Sequence, residues 1–432
     1  MTATHTRADG AVKVTGGKAL SGDYQVQGGK NIALHLYAAA LLADEAVTLR
    51  DAPAILDTEV CVRLLRHTGT GASFDGQDFT VVPSAAPLPV VHPEAGRLIR
   101  TTAVLGAALL AKTGLVEFPH PGGDAFCPRL IDRHLAAMQA AGAEVLVSEE
   151  GVRAFLGHRG VRPFTVDVGT PYGPSLGATV TALLLAACCP RTSLITNPSV
   201  EPEVIEVARF LADRGVAVCR DAAGLHVTGT GHIGGGAFPV LGDRIEAATV
   251  AMAAVATGGR VTLRGVTLRD LPSGLVSALT AVGVLFSPGQ NALDVRPGRS
   301  LSAIQTLTGP HPGLPTDTAP QLAALLTQAA GTSVIHERVY PRRDSHVAPL
   351  RAFGARVGST GPLVSVEGAS CLRAAEVEAA DIRAGAALLI AALVADGTSV
   401  IRGLRHLRRG YGHLLRGLAT LGAEITTEPE TK

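Results

Sequence analysis

Ile382-Arg383-Ala384-Gly385-Ala386-Ala387-Leu388-Leu389-Ile390-Ala391-Ala392-Leu393-Val394-Ala395, followed after a short turn by Ser399-Val400-Ile401-Arg402, reads as a helix leading into a strand. Every residue of the run after Arg383 is apolar, so the helix has no polar stripe to turn to water. A helix of that kind belongs in the interior. The same pattern recurs at 31–42, 101–112, 175–188, 245–257 and 319–330, with strand-like segments at 46–49, 115–118, 193–196, 260–263 and 333–336. A second helix follows each strand and ends at a glycine: Gly69 or Gly71, Gly142, Gly215, Gly283, Gly354 and Gly422. Glycine in that position suits the left-handed turn that closes a helix before the next strand.

The period is about 70 residues, too long for a solenoid and right for a folding unit copied several times. Six copies predict a two-part α/β protein, each part made of three units around buried helices. The expected division is 1–29 with 243–432 as one domain and 30–242 as the other. Gly234-Gly235-Gly236 stands where the chain would cross between halves. Two such bodies would leave a cleft, the default place for a ligand.

Composition narrows the function. With 47% hydrophobic and 17% charged residues, the 432-residue chain is globular, and a net charge of +1 gives no basic face for nucleic acid. The six cysteines form no C-x-x-C pair, which predicts neither a disulfide framework nor zinc. Residues 1–10 lack an apolar signal segment and no apolar run reaches membrane-spanning length, so a cytoplasmic, soluble protein is expected. Only Lys13, Lys18, Lys30, Lys112 and Lys432 are lysines; the remaining basic residues are arginines, suited to two-pronged recognition of phosphate or carboxylate.

The charged residues gather where the repeated units begin. Gly28-Gly29-Lys30-Asn31 opens the first buried helix and offers free N–H groups plus a cation to an anion, unless Lys30 is simply a solvated helix start. Pro315-Thr316-Asp317-Thr318 opens the fifth, where Asp317 could equally be a helix cap. Ala380-Asp381-Ile382-Arg383 opens the sixth, with Arg408-Arg409-Gly410-Tyr411 further on and Arg100, Arg342 and Arg343 elsewhere. His120-Pro121-Gly122-Gly123-Asp124-Ala125-Phe126-Cys127-Pro128-Arg129 carries two adjacent glycines, a hinge or a close approach to a ligand, beside a carboxylate, a thiol and an arginine. Arginines converging with carboxylates suit a ligand with several negative charges and a proton to move. Neither a Walker-type phosphate loop nor a clean G-x-G-x-x-G is present, and there is no G-x-S-x-G elbow.

In these residues the chain resembles the enolpyruvyl transferases of the UDP-N-acetylglucosamine 1-carboxyvinyltransferase type and, more distantly, EPSP synthase. The resemblance runs from about Gly16 to Ile425 through Gly29-Lys30-Asn31, Pro121-Gly122-Gly123, Arg129, Asp132, His134, Gly177-Ala178-Thr179, Glu201-Pro202-Glu203, Asp243-Arg244-Ile245-Glu246, His311-Pro312-Gly313, Pro315-Thr316-Asp317, Asp381-Ile382-Arg383 and Arg409-Gly410-Tyr411. It implies two inside-out α/β barrel domains of three repeats each, a lid loop at 120–130, and transfer of an enolpyruvyl group from phosphoenolpyruvate to a hydroxyl without metal or organic cofactor. By the same resemblance Lys30, Arg129 and Arg409 hold phosphoenolpyruvate, and Arg343 and Arg383 lie near its carboxylate. Asp317 is the expected base, with Asp381 a further catalytic carboxylate. Asn31, Arg100, Ser175 and Gly177 serve acceptor binding and closure. The expected partners are phosphoenolpyruvate and a uridine nucleotide, with neither nucleic acid nor membrane.

Three departures bear on the acceptor. Asp124 stands where the family's lid carries cysteine, so a carboxylate is left to act as general acid. Cys127-Pro128 and Arg129-Leu130 alter the strip at the uridine end. Gly173-Pro174-Ser175-Leu176-Gly177 lacks the lysine that some relatives place near the diphosphate. Three readings follow: a cell-wall enzyme with an Asp lid, a transferase acting on UMP in nucleoside-antibiotic (nikkomycin/polyoxin-type) biosynthesis, and an inactive nucleotide-binding regulator.

Overall fold

The computed structural model describes residues 10–124, 126, 130–158 and 160–428. The chain divides into two compact units: unit 1 comprises Met1–Gln27 and Gly242–Lys432, unit 2 Gly28–Leu241.

Six helices form the interiors. In unit 2 they are α1 (Lys30–Ala40), α2 (Thr102–Thr113) and α3 (Leu176–Ala187); in unit 1, α4 (Arg244–Ala256), α5 (Ala319–Leu326) and α6 (Ile382–Val394). All of α4 but its last residue, and all of α6 but its last, is buried, as an all-round apolar surface requires. Within unit 1 the three helices pack on one another; within unit 2, α2 packs on both α1 and α3. Each fully buried leucine in these cores contributes about 2 kcal/mol of transfer free energy. The fifth helix stops at Leu326, four residues short of the expected 330, and the other expected helix and strand bounds agree to within two residues.

Each unit wraps its helices in sheets with one repeated plan. The strand after the buried helix has a parallel neighbour on one side and an antiparallel one on the other. Thus Val47–Arg50 pairs in parallel with Gly236–Pro239 and antiparallel with Phe79–Val82. The second repeat's sheet has three strands, with the parallel neighbour reduced to one bridge between Val90 and Glu117. In the sixth, the antiparallel neighbour of Thr398–Arg402 is Ala11–Thr15, which also pairs with Glu424–Glu428. Unit 1 is therefore stitched from both ends of the chain. The second helices end at left-handed glycines, Gly69 (φ 80°), Gly142, Gly215, Gly283, Gly354 and Gly422; Gly71 is instead in a strand. Gly234-Gly235-Gly236 leads into the last strand of unit 2, and a Cβ on Gly235 would lie 2.3 Å from the Ala46 carbonyl oxygen.

Candidate active site

In unit 1 the turn Thr316–Thr318 runs into α5. Asp317 does not cap that helix. One carboxylate oxygen accepts from Arg343 Nη1 and the other from Arg383 Nη2, each at 2.7 Å. The guanidinium-bearing side chains are 2% and 6% exposed, whereas Asp317 keeps 26%. Burial alone would raise the Asp317 pKa, but the charges and hydrogen bonds of Arg383 and Arg343 outweigh it and hold the carboxyl far below the usual range.

A second carboxylate, absent from the expected set, sets this geometry. Buried Glu337 accepts through Oε1 from the Thr308 hydroxyl (2.7 Å) and from the amides of Val339 (2.8 Å) and Tyr340 (2.9 Å). Through Oε2 it accepts from the Thr316 hydroxyl at 2.8 Å. One side chain thus fixes both the start of the segment that delivers Arg343 and the residue before Asp317. Arg343 Nη1 also reaches Thr316 Oγ1 at 3.1 Å.

Behind Arg383 the three helices of unit 1 share a polar knot. Tyr411 Oη lies 3.1 Å from Arg383 Nη1, 3.1 Å from Thr249 Oγ1 and 3.2 Å from Gln321 Nε2. Buried polar groups cost free energy unless paired, so these contacts fix α4, α5 and α6 in one register. Asp381 caps α6: Oδ1 accepts from the Arg383 and Ala384 amides at 2.8 and 3.0 Å, and the Ser345 hydroxyl donates to Oδ2. Of the two Asp residues that open buried helices, Asp317 forms the ion pair and Asp381 the cap. Arg409 lies half-buried near the end of the helix Leu404–Gly410.

Close by, Glu246 of α4 is fully buried. It accepts from Tyr24 Oη at 2.5 Å and from the Gln27 amide at 3.1 Å. Burial first and the Asp243 charge second push its carboxyl up to about 8.

Unit 2 presents its expected residues at helix starts. Lys30 is not a solvated lysine: its Nζ is 2.8 Å from Asp57, and the two side chains are 8% and 4% exposed. Asn31 follows it in the first turn of α1. Arg100 precedes α2 and donates to the Leu130 carbonyl, tying down the far end of segment 120–130. At the near end Gly122 sits against the Arg97 carbonyl, where a Cβ would be 1.7 Å from the oxygen, and Gly123 takes φ 107°. The glycine pair therefore serves a close backbone approach and a left-handed turn. Asp124 is half-buried; Arg129 and Cys127 lie outside the described residues. Ser175 caps α3, accepting from the Ala178 amide at 3.3 Å. Gly177 makes room for His134, whose Cε1 would be 2.7 Å from a Cβ there and whose Nδ1 is 2.8 Å from Thr181 Oγ1. Among the described residues no group of three His, Cys, Asp or Glu is arranged to hold a metal, and no helix is long and apolar enough to cross a membrane.

Residues 14–428 match the family model of EPSP synthase (3-phosphoshikimate 1-carboxyvinyltransferase). The chain belongs to that family. Curated relatives include UDP-N-acetylglucosamine 1-carboxyvinyltransferase of Deinococcus radiodurans, 37% identical over 96% of this chain and 97% of the relative. UDP-N-acetylglucosamine 1-carboxyvinyltransferase 2 of Geobacillus kaustophilus is 35% identical over 97% of each. Among solved structures, the enolpyruvyl transferase NikO from Streptomyces tendae superposes with a TM-score of 0.89 at 25% identity, covering 98% of this chain and 99% of that one. EPSP synthase from Acinetobacter baumannii shares the fold, with a TM-score of 0.78 at 18% identity over 97% of this chain and 100% of its own. Relatives along the whole chain and a common fold make the protein an enzyme of the enolpyruvyl transferase class, with the inside-out α/β architecture of its family.

Proposed function

We propose that the protein transfers the enolpyruvyl group of phosphoenolpyruvate to a hydroxyl of UDP-N-acetylglucosamine and releases phosphate. The observation that carries this reading is the Asp317 carboxylate clamped by Arg343 and Arg383, in a chain 37% identical over 96% of its length to a relative named for that acceptor.

The chemistry follows from the charges. The acceptor oxygen attacks C2 of phosphoenolpyruvate while C3 takes a proton, giving a tetrahedral intermediate. Phosphate then leaves from C2 and a C3 proton is lost, restoring the double bond. Asp124 supplies and recovers the C3 proton, and Lys30, Arg129 and Arg409 hold the phosphate as its charge grows. Asp317 takes the hydroxyl proton. In the free protein Arg383 and Arg343 hold its pKa too low for that task. An incoming phosphoenolpyruvate carboxylate competes for the same two guanidinium charges, and every fraction of charge it draws away raises the proton affinity of Asp317. Substrate binding thus arms the base.

A second reading has its own support. The structural likeness to NikO, together with the altered strip Cys127-Pro128-Arg129-Leu130, favours UMP as acceptor in a biosynthetic offshoot. Incubating the protein with phosphoenolpyruvate and either nucleotide, following phosphate release and product mass, separates the two. Product from the sugar nucleotide supports the first reading; product from UMP alone replaces it with the second; silence with both refutes enolpyruvyl transfer to either.

A further inference from the structure

Gln27 is the last residue of unit 1 before the chain passes into unit 2, and it is buried. Its side-chain Nε2 donates to the Gly410 carbonyl at 3.1 Å, and its Oε1 accepts from the Gly412 amide at 3.1 Å. The carboxamide therefore spans Tyr411 as a neighbouring strand would, one donor to a carbonyl and one acceptor to an N–H. A side-chain amide offers both at once; a carboxylate offers acceptors alone. Gln27 is itself fixed at both backbone groups: its N–H donates to Glu246 Oε2 at 3.1 Å and its carbonyl accepts from the Asp243 amide at 2.8 Å. With its carboxyl pushed up to about 8, Glu246 is largely protonated near neutrality, so this anchor brings no full charge beside the clamp.

The clamped segment has functional neighbours on both sides. Arg409 directly precedes Gly410, and the hydroxyl of Tyr411 meets Arg383, the partner of Asp317. We propose that Gln27 is a positioning residue for enolpyruvyl transfer, its carboxamide fixing the Gly410-Tyr411-Gly412 backbone and so setting where Arg409 meets phosphoenolpyruvate. This rests on the reading that Arg409 holds that substrate.

Gln27→Ala removes two hydrogen bonds and is expected to raise KM for phosphoenolpyruvate about tenfold, while KM for the nucleotide stays within about twofold of the parent. Gln27→Glu keeps the acceptor for Gly412 but turns a carboxylate oxygen towards the Gly410 carbonyl. Lowering the pH protonates that group and restores the donor, so KM for phosphoenolpyruvate should fall back towards the parent value on the acid side. An unchanged KM in Gln27→Ala, equal rises in both KM values, or a Gln27→Glu profile parallel to the parent's would overturn the proposal. Amide exchange at Gly412 reads the clamp without turnover: faster exchange in Gln27→Ala supports it, and unchanged exchange overturns it. If Arg409→Ala leaves KM for phosphoenolpyruvate unchanged, the reading of Arg409 fails and the inference falls with it. Faster Gly412 exchange in that case shows that the clamp itself was read correctly.

Discussion

Replacing Asp317 by alanine tests the centre of the site by two routes that need not agree. The carboxylate makes one 2.7 Å charge-assisted bond to each of two buried guanidinium groups. Removing one partner of a buried ion pair costs about 3–5 kcal/mol. Because Asp317 is 26% exposed, water reaches the gap and lowers the figure to roughly 2–4 kcal/mol. For a body of some two hundred residues that is a fall in Tm of about 4–16 °C. Turnover should drop by about 10²–10⁴, the usual contribution of a general base. The vacated space, faced by Arg343 and Arg383, becomes an anion site, so inorganic phosphate should stabilise the variant more than the parent; at a hundredfold excess over Kd the gain is about 2.7 kcal/mol. The assays are phosphate release from phosphoenolpyruvate with UDP-N-acetylglucosamine, and calorimetry with and without phosphate. Turnover within about tenfold of the parent would refute Asp317 as the base. Equal stabilisation of both proteins by phosphate would refute the account of the two arginines.

Two further outcomes follow from the buried and lid carboxylates. The Glu246 carboxyl, raised to about 8 chiefly by burial, keeps its proton in the folded chain where the unfolded chain has lost it, so stability falls as pH rises from about 4.5 to about 8. Glu246→Gln should flatten that part of the curve and gain on the parent towards pH 8, by at most about 1.4 kcal/mol per pK unit; denaturant curves at several pH values that run parallel for the two proteins would contradict it. Asp124 carries no thiol, so fosfomycin should inactivate the protein weakly and without a covalent adduct, while Asp124→Cys gains time-dependent labelling visible by mass; rapid stoichiometric labelling of the parent at the lid would sink the reading.

The repeats were legible because helices so largely apolar on every side belong in the interior, and six of them at one spacing leave little freedom in architecture. Boundaries held to within two residues except at the end of α5, where Thr327 and Gln328 form a turn and the small apolar residues Ala329 and Ala330 beyond it leave the helix, Ala330 bridging to Ser302. At the site, sequence position could not separate ion pair from cap. Asp317 and Asp381 both precede buried helices, and the difference lies in Arg343 and Arg383, which reach Asp317 from two separate later segments of the chain. Lys30 read equally as solvated because its partner Asp57 is 27 positions on, inside an ordinary helix start. Glu337 and Gln27 carried no signal: each works through hydrogen bonds to backbone or hydroxyl groups brought close only by the fold.

The strand Ala11–Thr15, held between Thr398–Arg402 and Glu424–Glu428, has a consequence for synthesis. Unit 2 is one continuous stretch, Gly28–Leu241, and all its strands have left the ribosome before most of unit 1 exists. Ala11–Thr15 emerges before unit 2 yet must wait for partners some four hundred residues downstream, on the order of 20–80 s at ordinary translation rates. Throughout that interval an unpaired β-strand with three buried valine and alanine side chains hangs from a completed body, open to any chaperone or neighbouring nascent chain that binds such edges. The part of unit 1 made after unit 2 must recapture a strand made before it.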